Sequence, residues 1–358
     1  MMASSTSDPR RTSLTIPRGV VALSVGWALT FSVVTASITT ANLAGAAFAP
    51  SSGTHTLPLA MLIVSQSGWS FVLPKLFELM GGRLHVVYRV TSAVGIVGSA
   101  VNAVACKRRS FVALCVGCLG LGLPAAAGQS FRFAALSLVP GGEKRAQTVG
   151  LVLTGGIAGA LMGPSVAAAS RDAFSDATYA GVYLYTAAAF GALFGIMCVP
   201  GLVHLSRPTP DDPTVKTPVE AEAEGGTPAA GKTEGKGEAP AASAVAVAFG
   251  MPSCVAAVAV ASLSYAAMAF LMSPTPLAMK DAGFSFTRTS RVIMIHMLGM
   301  YAPSMAVGKA VAGFGWSPLA IGGAALYVGA SAVVGSNRPC FVASCALLYL
   351  RVNAVAER

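Results

Sequence analysis

The chain has 358 residues, 54% of them hydrophobic and only 11% charged, against roughly 25% charged in ordinary soluble domains. A soluble fold cannot bury so much apolar side chain without large greasy patches, and the apolar residues come in long runs, so lipid is the solvent. The formal charge of +10 excludes the nucleic-acid class on its distribution: Lys and Arg stand singly or in short clusters at the ends of apolar runs, with no basic stripe interleaved with aromatics.

A helix needs about 20 apolar residues to cross the hydrocarbon core. By that measure the spans fall near 19–46, 57–79, 85–106, 111–137, 146–170, 178–205, 245–272, 287–312 and 317–336. Residues 1–18 form a short N-tail carrying Arg10, Arg11 and Arg18. The run that follows is longer than a signal-peptide core and lacks a cleavage site, so it reads as a first span with a cytoplasmic tail. Residues 19–205 thus make a bundle of six spans. Residues 206–244 are rich in Pro, Gly, Ala, Lys and Glu without apolar period, which predicts a disordered cytoplasmic linker. A partial second bundle follows over 245–336, then a tail, 337–358, whose apolar stretch Phe341–Leu350 is too short to span.

The distribution of basic residues favours a cytoplasmic N-terminus. That side would hold Arg10, Arg11, Arg18, Arg83, Lys144, Arg145 and the linker's Arg207, Lys216, Lys232 and Lys236. The outer side would hold Lys107, Arg108, Arg109, Arg171 and Lys280, and the triplet 107–109 runs against the rule.

Within the first span, Ser32, Thr35, Thr39 and Asn42 share one helical face. Such a stripe suits a polar cavity, although Ser and Thr in membrane helices also bond back to their own carbonyls. The amide of Asn42 needs partners outside its helix. After the second span comes PKLFELMGGR, Pro74 to Arg83. It sets Leu76, Glu78, Gly81 and Arg83 around a tight turn, where a carboxylate and a guanidinium can latch two helices in one state. The plainer alternative is a pair of solvated interfacial charges. Gln129 and Arg132 lie on one face of the fourth span. Arg132 either meets an anionic solute group or snorkels to the nearby interface.

The fifth span contains GGIAGALMGP. Gly155, Gly159 and Gly163 line one face and let a neighbouring backbone approach closely, and Pro164 removes one helix hydrogen bond and allows a bend. The segment thus reads as a hinge in a moving bundle, with plain small-residue packing as the alternative. SPTP, Ser273 to Pro276, ends the seventh span, and Pro274 and Pro276 break the helix. Broken helices persist in membranes only where protein or a watery cavity covers them, as at the hinges of substrate pathways. A simple helix terminus at the membrane surface is the competing reading. His296 of the eighth span titrates near neutral pH and is a candidate carrier of a coupling proton. An interhelical hydrogen bond is the competing role.

Chemistry of other kinds is missing from the sequence. Cys115 and Cys118 form a CxxC with no second pair or His to complete a zinc set, so no metal site is expected. There is no HExxH, no Walker loop, no GxSxG and no paired carboxylates within the spans. The expectation is neither an enzyme nor an ATP-driven pump, with no cofactor, and with a small solute and the bilayer as partners.

At PKLFELMGGR and GGIAGALMGP the chain resembles the major facilitator superfamily of secondary transporters, whose members carry GxLxDRxGR after the second helix and GxxxGP in the fifth. In the first motif Pro74 replaces the leading Gly, Glu78 the Asp, Leu79 the first Arg and Gly82 the second. TLPLAM (56–61), FRFAA (131–135), LVLTGGIAGALMGP (151–164), MSPTPLAM (272–279) and HMLGMYAPS (296–304) are similar to a bacterial-type permease branch. The resemblance implies an all-α integral membrane bundle with six N-terminal spans plus about three of the C-terminal half. Twelve spans are the family pattern, so the chain reads as C-terminally truncated. It also implies alternating-access movement of a small organic solute, with protons as the expected coupling ion. A vitamin such as riboflavin is one substrate suggested among similar groups. Two alternatives stand beside this: a drug-efflux antiporter, since GxxxGP accompanies exporters in the superfamily, and a non-transporting paralogue.

Overall fold

The computed structural model describes residues 17–139, 143–200 and 249–315, with isolated positions between 318 and 326. All the regular structure among the described residues is helical. The helices are α1 (Arg18–Phe48), α2 (Leu57–Leu79), α3 (Leu84–Arg108), α4 (Phe111–Gln129), α5 (Phe131–Leu136), α6 (Glu143–Ser170), α7 (Ala180–Cys198), α8 (Pro252–Met272), α9 (Thr275–Asp281) and α10 (Phe286–Phe314). A short 3-10 turn, Ser52–Thr54, joins α1 to α2. Among the described residues, six helical stretches are long and apolar enough to cross a membrane: α1, α2 with its 3-10 turn, α3, α4 with α5, Thr148–Ser170 of α6, and α7. Residues 1–16 of the N-tail, the linker 206–244, the tail 337–358 and most of the ninth predicted span lie outside the described residues.

Two spans differ from their expected course. The fourth breaks at Ser130, whose hydroxyl donates to the Ala127 carbonyl (2.6 Å) and pairs with the Tyr88 hydroxyl (3.0 Å). That local bond competes with the helical ladder, and α5 restarts beyond it. The helix expected from residue 245 begins a new segment at Pro252, after Met251 in extended conformation. Proline suits that first helical position because its missing N–H would be unpaired there anyway.

Helix α1 is buried along most of its length. It packs on α6 and also on α4 and α7, while α2 lies against α4, and α3 against α4 and α7. The α1–α6 contact explains the glycines. A Cβ added at Gly155 would land on the Ser24 carbonyl oxygen, one at Gly159 would lie 2.6 Å from the Ala28 carbonyl oxygen, and one at Gly163 would strike Ser32 O and Thr35 Oγ1. Residues 24, 28 and 32 thus match 155, 159 and 163 in ascending order, so the two helices run parallel with their backbones nearly touching. Lipid supplies no hydrophobic drive between helices, so this closeness is what binds them, through dispersion and polar bonds. Ser24 Oγ donates to the Leu151 carbonyl (2.9 Å), and Thr35 Oγ1 lies 3.3 Å from the Gly159 carbonyl.

The helices alternate in direction, so α1 and α6 both run away from the end where the linker begins. The opposite end, carrying the α1–α2 and α6–α7 connections and α9, is called the distal end below.

Within α6 the same chemistry should give opposite results at two glycines. Gly163→Val is expected to destabilise the purified protein by about 1–3 kcal/mol through overpacking, read as a lowered melting midpoint in detergent. Gly150→Ala, where an added Cβ meets nothing within 4 Å, is expected to leave the midpoint unchanged or raise it slightly.

Candidate functional site

The polar stripe of α1 is completely buried, and its members are distributed among several neighbours. Ser32 Oγ donates to its own helix at the Leu29 carbonyl (2.7 Å) and accepts from the Tyr185 hydroxyl of α7 (2.7 Å). Thr35 divides between the Phe31 and Ser32 carbonyls, both at 3.1 Å, and Gly159 of α6. These two residues serve helix packing. Asn42 does something else: its Nδ2 donates to the Ser273 carbonyl (2.6 Å), 231 residues away, across the linker in sequence. Thr39 Oγ1 and Asn42 Oδ1 are buried with no hydrogen-bond partner among the described residues.

The Ser273 carbonyl is available because of the SPTP sequence. Helix α8 ends at Met272 and α9 starts at Thr275. Leu277 N donates to the Pro274 carbonyl (3.0 Å) instead of to Ser273. Pro274 and Pro276 themselves have no N–H to offer. The broken helix therefore exposes a carbonyl toward the first bundle, and Asn42 satisfies it.

Other seam contacts lie in the same part of the molecule. Trp27 and Phe31, one turn apart on α1, stack with ring centroids 5.2 Å apart. Tyr301 of α10 lies 4.6 Å from Phe31 and 6.4 Å from Trp27. Gly156 of α6 makes room for them, since a Cβ there would sit 2.8 Å from Trp27 Nε1 and 2.9 Å from the Tyr301 ring. Higher up, the Ser165 hydroxyl of α6 meets Met294 Sδ of α10 at 3.8 Å. Among the described residues, these side-chain contacts between the two halves run from mid-bundle to the distal end.

The other sequence candidates stand apart from this seam. Gln129 and Arg132 flank the Ser130 break near the linker end, both half-buried. Arg132 lies 4.9 Å over the ring of its neighbour Phe133, with Nε buried and without a hydrogen-bond partner among the described residues. His296 is 3% exposed, and neither ring nitrogen has a hydrogen-bond partner among the described residues. It precedes Tyr301 by five residues, roughly 140° around the helix, so the two side chains leave α10 in different directions. In the turn after α2, Gly81 and Gly82 take positive φ (63° and 70°), and Gly82 N reaches back to the Phe77 carbonyl at 2.9 Å. This is a glycine helix cap. Leu76 is half-buried, while Glu78 and Arg83 are both exposed. Neither forms an ion pair among the described residues.

Sequence reasoning passed over the aromatic group and Arg89. An i, i+4 aromatic pair reads as ordinary core, and its partner Tyr301 is far away in sequence. Arg89 Nε donates to the Met197 carbonyl at the end of α7 (2.9 Å), a position where a cation complements the helix dipole.

No protein-family model matches the chain. Over 298 residues it is 28% identical to the riboflavin transporter RfnT of Brucella anthropi, a match covering 83% of this chain and 68% of that protein. Its fold superposes on the crystal structure of a D-xylose–proton symporter with a TM-score of 0.58 at 13% identity, covering 94% of this chain and 79% of the other. The chain is a multi-pass membrane protein with a helical fold of the major facilitator type, and it is similar to transporters of small solutes. Asn42–Ser273 and the aromatic group join the described helices that precede the linker to those that follow it.

Cysteines placed at 165 and 294 in a background without native cysteines are expected to cross-link under mild oxidation and to abolish flux until reduced. Absence of a cross-link would mean that the distal seam does not close as described.

Proposed function

We propose that this transporter carries a planar aromatic solute of the riboflavin class by alternating access, with a proton as the coupling ion. The observation that carries the solute assignment is the group Trp27, Phe31 and Tyr301. It is buried mid-bundle between the two halves and built from side chains of both. Flat rings stack on such surfaces in offset or tilted geometry, and a solute ring entering between Phe31 and Tyr301 would replace a protein–protein stack with two protein–solute stacks. The curated relative named as a riboflavin transporter supports the same class.

In this reading the amide of Asn42 and the hydroxyls of Ser32, Thr35 and Thr39 hold the bundle near the path. Arg132 and Gln129 stand at the linker-end mouth. His296 is the proton carrier, being a buried imidazole in a predicted span with no partner for either ring nitrogen among the described residues. Gly159, Gly163 and Pro164 keep α6 tied to α1 while the halves move. With the N-tail in the cytoplasm, the distal end faces outward and the described state is closed to the outside.

Riboflavin uptake by the full chain in proteoliposomes tests the assignment. Accumulation driven by an imposed pH gradient is expected, and Tyr301→Ala or Trp27→Leu should weaken apparent affinity about tenfold, corresponding to ~1.4 kcal/mol of stacking. No riboflavin flux in either direction would overturn the solute class. For coupling, His296→Gln should lose accumulation against a gradient but keep solute exchange. Accumulation at the unsubstituted level would remove the histidine from the coupling step.

A further inference from the structure

The distal end holds one more cross-half contact, and its chemistry differs from the rest. Arg171 follows the last residue of α6, and its guanidinium carbon lies 5.5 Å from the centroid of the Tyr179 ring and 5.2 Å from that of Phe286. The two rings are 6.0 Å apart and tilted by 51°. Tyr179 belongs to the α6–α7 connection of the first half, and Phe286 opens α10 in the second. One cation therefore touches an aromatic ring from each bundle.

The connection is built to hold that geometry. Tyr179 N donates to the Arg171 carbonyl at 2.8 Å, closing residues 171–179 into a compact loop. Tyr179 adopts φ 72°, a left-handed conformation that non-glycine residues seldom take. Both rings are buried, at 6% and 7% exposure, whereas Arg171 is 34% exposed. Asp172 Oδ1 is 3.4 Å from Arg171 Nε, but the two do not make a hydrogen bond. The carboxylate is 69% exposed, so solvent screens the pair and leaves the rings as the principal contacts. Burial holds the Tyr179 phenol above its ordinary range, with the Arg171 charge pulling the other way. The ring accordingly stays neutral.

We infer that Arg171 is the positioning residue of the distal gate: its guanidinium clamps Tyr179 of the first bundle to Phe286 of the second, and the distal end opens only when this clamp is released. A cation–π contact suits the task because its strength depends on exclusion of water. Solvent entering the seam weakens it abruptly, so the closed state is favoured as a unit. Arg171 touches no part of the aromatic group at mid-bundle, so its effect is on the conformational equilibrium and not on solute contact.

The test reads opening directly. Ser290 is 2% exposed and lies one turn past Phe286 on α10. In the full chain reconstituted in nanodiscs, Ser290→Cys serves as the reporter. The other native cysteines are replaced by serine except Cys118, which is fully buried within the first bundle and reports unfolding. Maleimide labelling at position 290 is expected to be slow with Arg171 present and about three- to thirtyfold faster in Arg171→Gln. Phe286→Leu should be at least as fast, since it removes the Tyr179–Phe286 ring contact as well as the Arg171 contact, and the double variant should be no faster than Phe286→Leu alone. Phe286→Tyr, which keeps the ring, should retain the slow rate. Unchanged labelling in Arg171→Gln and Phe286→Leu, or multiplicative rates in the double variant, would overturn the clamp. If Arg171→Gln exposes Cys118, the Phe286→Leu and Phe286→Tyr pair decides: equal rates at position 290 refute the clamp, and a faster rate in Leu supports it. No solute enters the measurement, so it fails or succeeds independently of the riboflavin assignment.

Discussion

The arrangement rests on the parallel contact between α1 and α6. Three glycines at four-residue spacing bring the backbone of α6 against the carbonyls of Ser24, Ala28 and Ser32. In lipid, where apolar side chains gain little by leaving one apolar environment for another, such closeness is the available source of specificity. It also fixes where the rest can go. With α6 seated on one face of α1, the adjoining face carrying Trp27 and Phe31 turns toward α10, and Asn42 reaches the broken end of α8. The second half thus docks on a composite surface that α1 alone could not present.

Much of the fold was legible because membrane helices announce themselves by length and composition. The first six expected spans agree with the observed helices to within a few residues at most ends, since an apolar run of that length has few other options in lipid. What failed to show were the interruptions. The break at Ser130 depends on a hydroxyl partner, Tyr88, on another helix, and no local pattern reveals it. The SPTP break was visible because proline acts through its own covalent structure.

The candidate site was less legible, for a reason of geometry. The stripe Ser32, Thr35, Thr39 and Asn42 lies on one helical face as expected, but a face shared along a helix of this length meets different neighbours at different heights. Its lower members touch α7 and the glycine face of α6, and its upper member touches the second half. Periodicity gives the direction of a side chain and is silent about what stands opposite. The aromatic group had the converse problem. Trp27 and Phe31 resemble core until Tyr301 is placed beside them, and that placement is tertiary information. Glu78 and Arg83 were suggested by a motif, and both side chains are exposed.

The contacts divide into two chemical kinds, and the division matches what alternating access demands. Inside the first bundle, α1 and α6 meet through backbone packing that water cannot replace, because a water molecule has no room between a glycine and a carbonyl at van der Waals distance. Across the seam the contacts are replaceable. Water can take over both sides of the Asn42–Ser273 bond at modest net cost, since the exchange conserves hydrogen bonds. It can also solvate the Arg171 guanidinium, and in the proposed function a flat solute takes the faces of Phe31 and Tyr301. A bundle whose internal contacts were equally exchangeable would loosen when the seam opened. One whose seam was packed like α1 on α6 would not open at all. The glycines of α6 and the polar and aromatic residues of the seam therefore solve opposite halves of one problem, keeping each half rigid while leaving the boundary between them free to change.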